Sequence, residues 1–460
     1  MTSTACERLF QQQCDQGTQA VRAVFDLPVE DGDDWRCDGS IHWSDGRTDD
    51  FHAYGIDSLQ ALQLAQSAAA IRLYAASPQV YWFEPNDRLG LHLTPLLRHL
   101  ERDRKPSWED TVSEAEVITR IESGVGRITL NRPKAIHALN RAMCEAMIEA
   151  LQSWKSDDAV ASVLIDHAGE RGFCAGGDIR MIAESGAGDA SEAKAFFHSE
   201  YQLNHLMFEY PKPITAIVDG IVMGGGVGIS EPADVRIATE RTTYAMPETG
   251  IGLFPDVGGG WFLPRLPGQT GVWLALTGAR LKAADTVALG IHTHYVASDV
   301  VEALKADLLA NPSDPKAVAD RVSGDAGEAP LAVHREAIDR LFAFDTVEEI
   351  FAALEADGSE WALKQLATLK TKSPQSLKVS LRQIREGAKM ATFADNMAME
   401  YALGGRVVST HDFQEGVRAV IIDKDNAPNW QPADIAGVSD EMVEALFAPL
   451  ADNEKWTPLS

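Results

Sequence analysis

From about residue 116 onward, short β-rich runs alternate with long helical stretches, and this alternation leaves the chain few folds to choose from. VGRITL (125–130), ASVLIDHA (161–168) and PITAIVDGIV (213–222) are apolar runs rich in β-branched residues. Between them lie NRAMCEAMIEALQSWK (140–155) and EAKAFFHSEYQLNHLMFEY (192–210), both helical in pattern. Strands separated by helices are not hairpin partners. They need right-handed crossovers, which build a largely parallel sheet of the α/β class. From about residue 265 the pattern is mostly helical, and SLKVSLRQIREG places Leu377, Leu381 and Ile384 on one face.

Residues 1–110 read differently, as a small α+β module with a short helical start. Trp35–Trp43 predicts a hairpin turning at Asp38-Gly39. YGIDSLQALQLAQSAAAIRLY (54–74) predicts an amphipathic helix with Leu59, Leu62, Ala65 and Ala69 on one face, and QVYWFEP (79–85) a short buried strand. ERDRKPSWEDTVSEA (101–115), charged and broken by a proline, reads as a linker, so a second domain is expected over 111–460. Asp57-Ser58-Leu59 has the form of a phosphopantetheine attachment motif. The strands around it favour a helix cap by Asp57 or Ser58 instead.

The net charge of −27 argues against general binding of nucleic acid or anionic membrane. Cys6, Cys14, Cys37, Cys144 and Cys174 are odd in number and fit no zinc spacing, which predicts reduced thiols and no metal. MTSTACERLFQQQCDQ has neither a secretory pattern nor an arginine-rich, acid-poor one, and no stretch approaches 18 apolar residues. A cytoplasmic chain is the expectation.

Three glycine-rich stretches follow β-rich runs: FCAGGDIR (173–180), MGGGVG (223–228) and MPETGIGLFPDVGGG (246–260). None has the acidic residue at the spacing that a dinucleotide fingerprint requires. Tight turns are one reading. The other is a pair of exposed backbone amides aimed at one oxygen, as in an oxyanion hole. Glu248 and Asp256 sit among apolar and glycine residues, surroundings that favour burial and a raised carboxylate pKa. Glu200, in FFHSEYQ, reads on its own as an exposed helix carboxylate. Cys174 reads as packing, and His292 and His294 as structural. Lys134 and Arg180 adjoin the glycine turns but read equally well as surface residues.

LNRP (130–133), FCAGGDIR, ITAIVDGIVMGGGVG (214–228) and AMPETGIGLFPDVGGGWFLPRL (245–266) resemble the crotonase, or enoyl-CoA hydratase/isomerase, superfamily. The third glycine run, LTGARLKAADTVALGIHTHYV (276–296), MEYALGGRV (399–407) and HDFQEGVRAVIIDKDNAPNW (411–430) are similar to its 3-hydroxyisobutyryl-CoA hydrolase branch. The resemblance implies a spiral of ββα units with a helical C-terminal region. It also implies a thioester carbonyl held by the amides of Gly177 and Gly225, with Glu248 and Asp256 catalytic or in contact with substrate, and Glu200 as a further substrate contact. Hydratases of this superfamily carry a second glutamate where this chain has Gly228, a departure that shifts the expectation from hydration to hydrolysis. The implied activity is hydrolysis of a short 3-hydroxyacyl-CoA, as in valine catabolism. Coenzyme A is then part of the substrate, no separate cofactor is used, and a homo-oligomer is possible. The alternatives are a hydratase or isomerase, and a non-catalytic interaction protein on the same fold.

Overall fold

Glu116–Ser460 and Met1–Ala115 form two units in the computed structural model, which describes residues 4–14, 17–32, 34–74, 80–81 and 115–459. In the smaller unit, strands β1 (Thr4–Cys14), β2 (Gly17–Asp26), β3 (Val29–Asp31), β4 (Asp34–His42), β5 (Thr48–Gly55) and β6 (Val80–Tyr81) make one antiparallel sheet. Helix α1 (Ser58–Tyr74) packs on it. Val21, Ala23 and Phe25 alternate into the core along β2, as a half-buried strand requires.

Three expectations need correction here. The unit does not start in a helix: Thr4–Cys14 is strand β1, paired antiparallel with β2. Asp38-Gly39 is no turn: both residues lie inside β4, and the hairpin turns at residues 43–47, where Trp43 N–H donates to Arg47 C=O. Gly39 faces Phe51 instead, and a Cβ on it would stand 2.6 Å from that ring. The buried face of α1 is Ala61, Ala65, Ala69 and Leu73, whereas Leu59 is exposed. Small residues let the helix sit close to the sheet. Asp57 caps α1, its carboxylate accepting from Gln60 N–H at 2.7 Å. The expected linker at 101–115, Ala115 excepted, and most of the QVYWFEP strand lie outside the described residues.

The larger unit begins with β7 (Val117–Glu122) and β8 (Val125–Leu130), then helix α2 (Arg141–Lys155), β9 (Ser162–His167) and β10 (Gly172–Cys174). Helices α3 (Ile179–Gly186) and α4 (Ser191–Phe208) precede β11 (Ile214–Val218) and β12 (Ile221–Met223). A one-turn helix, α5 (Gly225–Gly228), leads to β13 (Val235–Ala238) and β14 (Thr243–Ala245). One sheet has the order β16-β13-β11-β9-β8-β7 and the other β10-β12-β14-β15, where β15 is Leu281–Lys282 and β16 His294–Tyr295. The chain thus spirals: successive turns give one strand to each sheet. All pairs within β8 to β16 of the large sheet and β10 to β14 of the small one are parallel.

PITAIVDGIV, continuous as a sequence pattern, is therefore cut into two strands. The bend falls at Asp219-Gly220, where Gly220 has φ 95° and a Cβ would lie 2.7 Å from Gly172 Cα. Only glycine turns there without strain or collision. Beyond residue 265 the unit is mostly helical, and Leu377, Leu381 and Ile384 are buried as their spacing predicts. Among the described residues no helix is long and apolar enough to cross a membrane.

Candidate active site

Strands β10, β12 and β14 are parallel neighbours in one sheet, so their C-terminal ends emerge side by side. Each of the three glycine-rich stretches begins at one of those ends. That is why segments about 50 and 20 residues apart in the chain share one cavity. The space is small, about 70 Å³, and Ile179, Ile182, Phe196, Phe197, Ile251 and Leu253 wall it with apolar surface. Glu200, Glu248 and Asp256 face it together with Gly177 and Gly225.

The backbone at the first two stretches is fixed by named bonds. Leu139 N–H donates to Gly176 C=O and Asp178 N–H to Leu139 C=O, both at 2.8 Å. In extended backbone successive groups alternate sides. With its two neighbours turned to Leu139, the Gly177 N–H is turned away from it. Gly225 opens a one-turn helix, so its N–H has no acceptor within that helix. Neither N–H meets a backbone or side-chain acceptor among the described residues. They are close together: a Cβ placed on Gly225 would lie 3.3 Å from Gly177 N and 2.4 Å from Glu200 Oε1. No larger residue fits at 225 without displacing that carboxylate.

Three carboxylates are buried here, at 1% (Glu200), 4% (Glu248) and 5% (Asp256) relative exposure. Glu200 is thus not the exposed helix acid its local sequence suggests. Helix α4 turns it inward beside Tyr201, and Phe196 and Phe197 of the same helix line the same cavity. Glu200 Oε1 and Glu248 Oε2 have no hydrogen-bond partner. Burial pushes both carboxyls well above the usual range, and the charge of nearby Asp256 pushes them further. Asp256 is raised to about 6 by burial, and the phenol of Tyr201, donating to Oδ2 at 2.8 Å, pulls it back down. Unpaired buried polar atoms are costly, and a folded chain keeps few of them without a use.

Several residues around the cavity escaped sequence reasoning. Tyr201 adjoins Glu200 in the chain, but only the folded contact ties it to Asp256. Glu400 is fully buried and accepts from Gly258 N–H (2.7 Å), Gly260 N–H (2.8 Å), Asn396 Nδ2 (2.9 Å) and Gln383 Nε2 (3.0 Å). It clamps the turn directly after Asp256. Burial still raises its pKa to about 8 against the pull of those donors. Lys372 Nζ lies 3.4 Å from where a Cβ of Gly250 would be, beside the Glu248 turn. Burial lowers its pKa, and Glu248 opposes that effect.

Gly228 leaves no room for a side chain, since a Cβ there would stand 2.6 Å from Val257 Cβ and 2.8 Å from Asn204 Nδ2. Cys174 is buried, its thiol donates to His137 C=O, and burial raises its pKa to about 12, so it packs and does not react. His292 and His294 are buried outside the cavity, and His294 Nε2 lies 2.9 Å from Asp320 Oδ1. Lys134 and Arg180 are exposed.

Residues 125–447 match a family model described as enoyl-CoA hydratase/isomerase, and residues 6–93 match one described as a domain of unknown function. The chain is 48% identical to a mitochondrial 3-hydroxyisobutyryl-CoA hydrolase of Danio rerio, over 74% of this chain and 91% of that protein. It is 44% identical to the like-named protein of Gallus gallus, over 79% and 95%. A crystal structure of a carnitinyl-CoA dehydratase from Mycobacterium thermoresistibile superposes with a TM-score of 0.71 at 42% identity, covering 74% of this chain and 98% of that one.

Proposed function

The chain belongs to the enoyl-CoA hydratase/isomerase family, and from that premise we propose that it hydrolyses a short 3-hydroxyacyl-CoA, 3-hydroxyisobutyryl-CoA foremost. The products are free coenzyme A and the 3-hydroxy acid, as in valine degradation. The observation that carries this reading is the convergence of two free amides and an unpaired buried carboxylate, Glu248, on one small cavity.

In this reading the thioester oxygen sits between the N–H groups of Gly177 and Gly225. Charge developing on that oxygen is stabilised by donors already in place, in a site walled largely by apolar side chains. Glu248 supplies the attack, directly on the carbonyl carbon or through a water that it deprotonates. In a single turnover in ¹⁸O-water, unlabelled oxygen in the acid or ¹⁸O left on Glu248 establishes direct attack, with the water entering at the Glu248 carbon of the anhydride. Asp256 accepts the substrate's 3-hydroxyl, and Glu200, in the same cavity, contacts the acyl group. Coenzyme A arrives as part of the substrate, and no further cofactor takes part.

The likeness to a carnitinyl-CoA dehydratase favours a second reading, addition or removal of water at a carbon–carbon bond. Such chemistry gains from two carboxylates dividing acid and base duties on one face. A glutamate at 228 would collide with Val257, which weighs against that reading. The test is direct: thiol release from 3-hydroxyisobutyryl-CoA against absorbance loss with crotonyl-CoA. Hydration without thiol release would overturn the hydrolase reading.

A further inference from the structure

Asp256 has two carboxylate oxygens and one identified side-chain donor. Tyr201 Oη donates to Oδ2 at 2.8 Å, both residues being buried. The phenol cannot wander. Its ring stacks on Phe197, with centroids 5.5 Å apart and planes 28° from parallel. Helix α6 (Phe393–Val407) lies against the stack at Gly404, where a Cβ would stand 3.2 Å from the Phe197 ring and 3.6 Å from Tyr201 Oη. One helical turn earlier on α6, Glu400 holds Gly258 and Gly260, the turn that follows Asp256. The aspartate is thus fixed twice, through its backbone and through one oxygen.

The groups facing Asp256 are otherwise acidic: Glu200 on α4, Glu248 on the third glycine stretch, and Glu400 on α6. In such company a proton settles on the carboxyl with the fewest donors. Glu200 is that carboxyl: its Oε1 has no partner and nothing offsets its burial, whereas a backbone N–H and Lys372 both ease the charge on Glu248.

We infer that Tyr201 is a positioning residue for the reaction: it holds Asp256 ionised, turns Oδ1 toward the cavity, and so sets the preference for a 3-hydroxylated acyl group. This rests on the reading of Asp256 as the hydroxyl's acceptor. The direction of the pKa effects agrees, since the Tyr201 bond lowers a carboxyl that burial alone raises. Phenylalanine keeps the ring and its stack while removing the donor.

The experiment compares two dethia-ketone analogues of acyl-CoA, with methylene in place of sulfur, one bearing the 3-hydroxyl and one lacking it. Their Kd values are measured across pH for the wild-type chain and Tyr201→Phe. The wild type is expected to prefer the hydroxyl analogue by roughly tenfold or more, as for a hydrogen bond to a charged acceptor. That preference is expected to fade as pH falls through about 6, where Asp256 takes up a proton. In Tyr201→Phe the fading moves to higher pH by roughly a unit, and the deoxy analogue binds as before. Equal weakening of both analogues at every pH would make Tyr201 a mere packing residue and overturn the inference. No hydroxyl preference in the wild type would instead remove the reading of Asp256, and this one with it. If Tyr201→Phe does not fold, Gly404→Ala crowds the same stack from α6 and is expected to shift the preference in the same direction. An unshifted preference in that folded variant would count against the inference equally.

Discussion

Glu400 and Glu248 are both buried glutamates of the same unit, and their surroundings are opposites. Glu400 receives four N–H donors, two of them from the turn beyond Asp256. Glu248 keeps an oxygen with no partner at all and faces a cavity. The contrast separates holding from reacting. A carboxylate whose lone pairs are spent on the backbone fixes a shape. One left unsatisfied carries a desolvation cost that a proton, a ligand or a transition state relieves.

Activity offers the strongest way to break that contrast. Glu248→Gln is expected to cut thiol release by roughly 10³-fold or more, with circular dichroism and Tm close to wild type. Retained turnover would remove Glu248 from the chemistry. Next in size is Gly225→Val. Its Cβ meets Glu200 Oε1 at 2.4 Å, so the turn must shift and its N–H with it. A misplaced oxyanion donor costs about 10²–10³-fold in kcat, and the chain should still fold.

The opposite member of the pair should fail by the opposite route. Glu400→Ala strands the buried N–H groups of Gly258 and Gly260, at about 1–3 kcal/mol each. Urea unfolding should register a loss of roughly 2–6 kcal/mol. Activity should fall with the folded fraction and with the drift of Asp256. A variant of unchanged stability but no activity would show that Glu400 reacts and does not merely hold.

The smallest effect concerns stability against pH. Glu248 has its folded pKa raised by burial, so the native state binds its proton more tightly than the unfolded chain does. That contribution is full below the unfolded carboxyl value, about 4. It is lost as pH rises toward the folded value. Glu248→Gln should therefore flatten the decline of Tm between weakly acid and neutral pH, and at neutral pH the variant should be slightly more stable than its parent. An unchanged slope would mean that Glu248 is ionised without cost in the empty site.

How far such a site can be read from sequence depends on distance along the chain. The β-rich runs and helices beyond residue 116 are local patterns, and the parallel sheets follow from them. The third glycine stretch carries Glu248 and Asp256 among apolar neighbours, and that proximity was enough to predict burial. The bend at Asp219-Gly220 was invisible, because what crowds Gly220 is Gly172 in a different strand. Gly39 misled for the same reason: the sequence displays a turn dipeptide, whereas the folded sheet needs space for Phe51. Glu200 looked exposed because α4 is inward-facing over most of its circumference, with its burial set by α2 and α6 rather than by its own periodicity. Glu400 lies 144 positions beyond Asp256, and Tyr201 lies 55 before it. No local signal joins them.

The most direct measurement is a crystal structure with the dethia-ketone analogue of 3-hydroxyisobutyryl-CoA. The expected result is a ketone oxygen about 2.7–3.1 Å from both Gly177 N and Gly225 N, with the carbonyl carbon facing Glu248. A ligand seated elsewhere, or an oxygen reaching neither amide, would contradict the account at its centre.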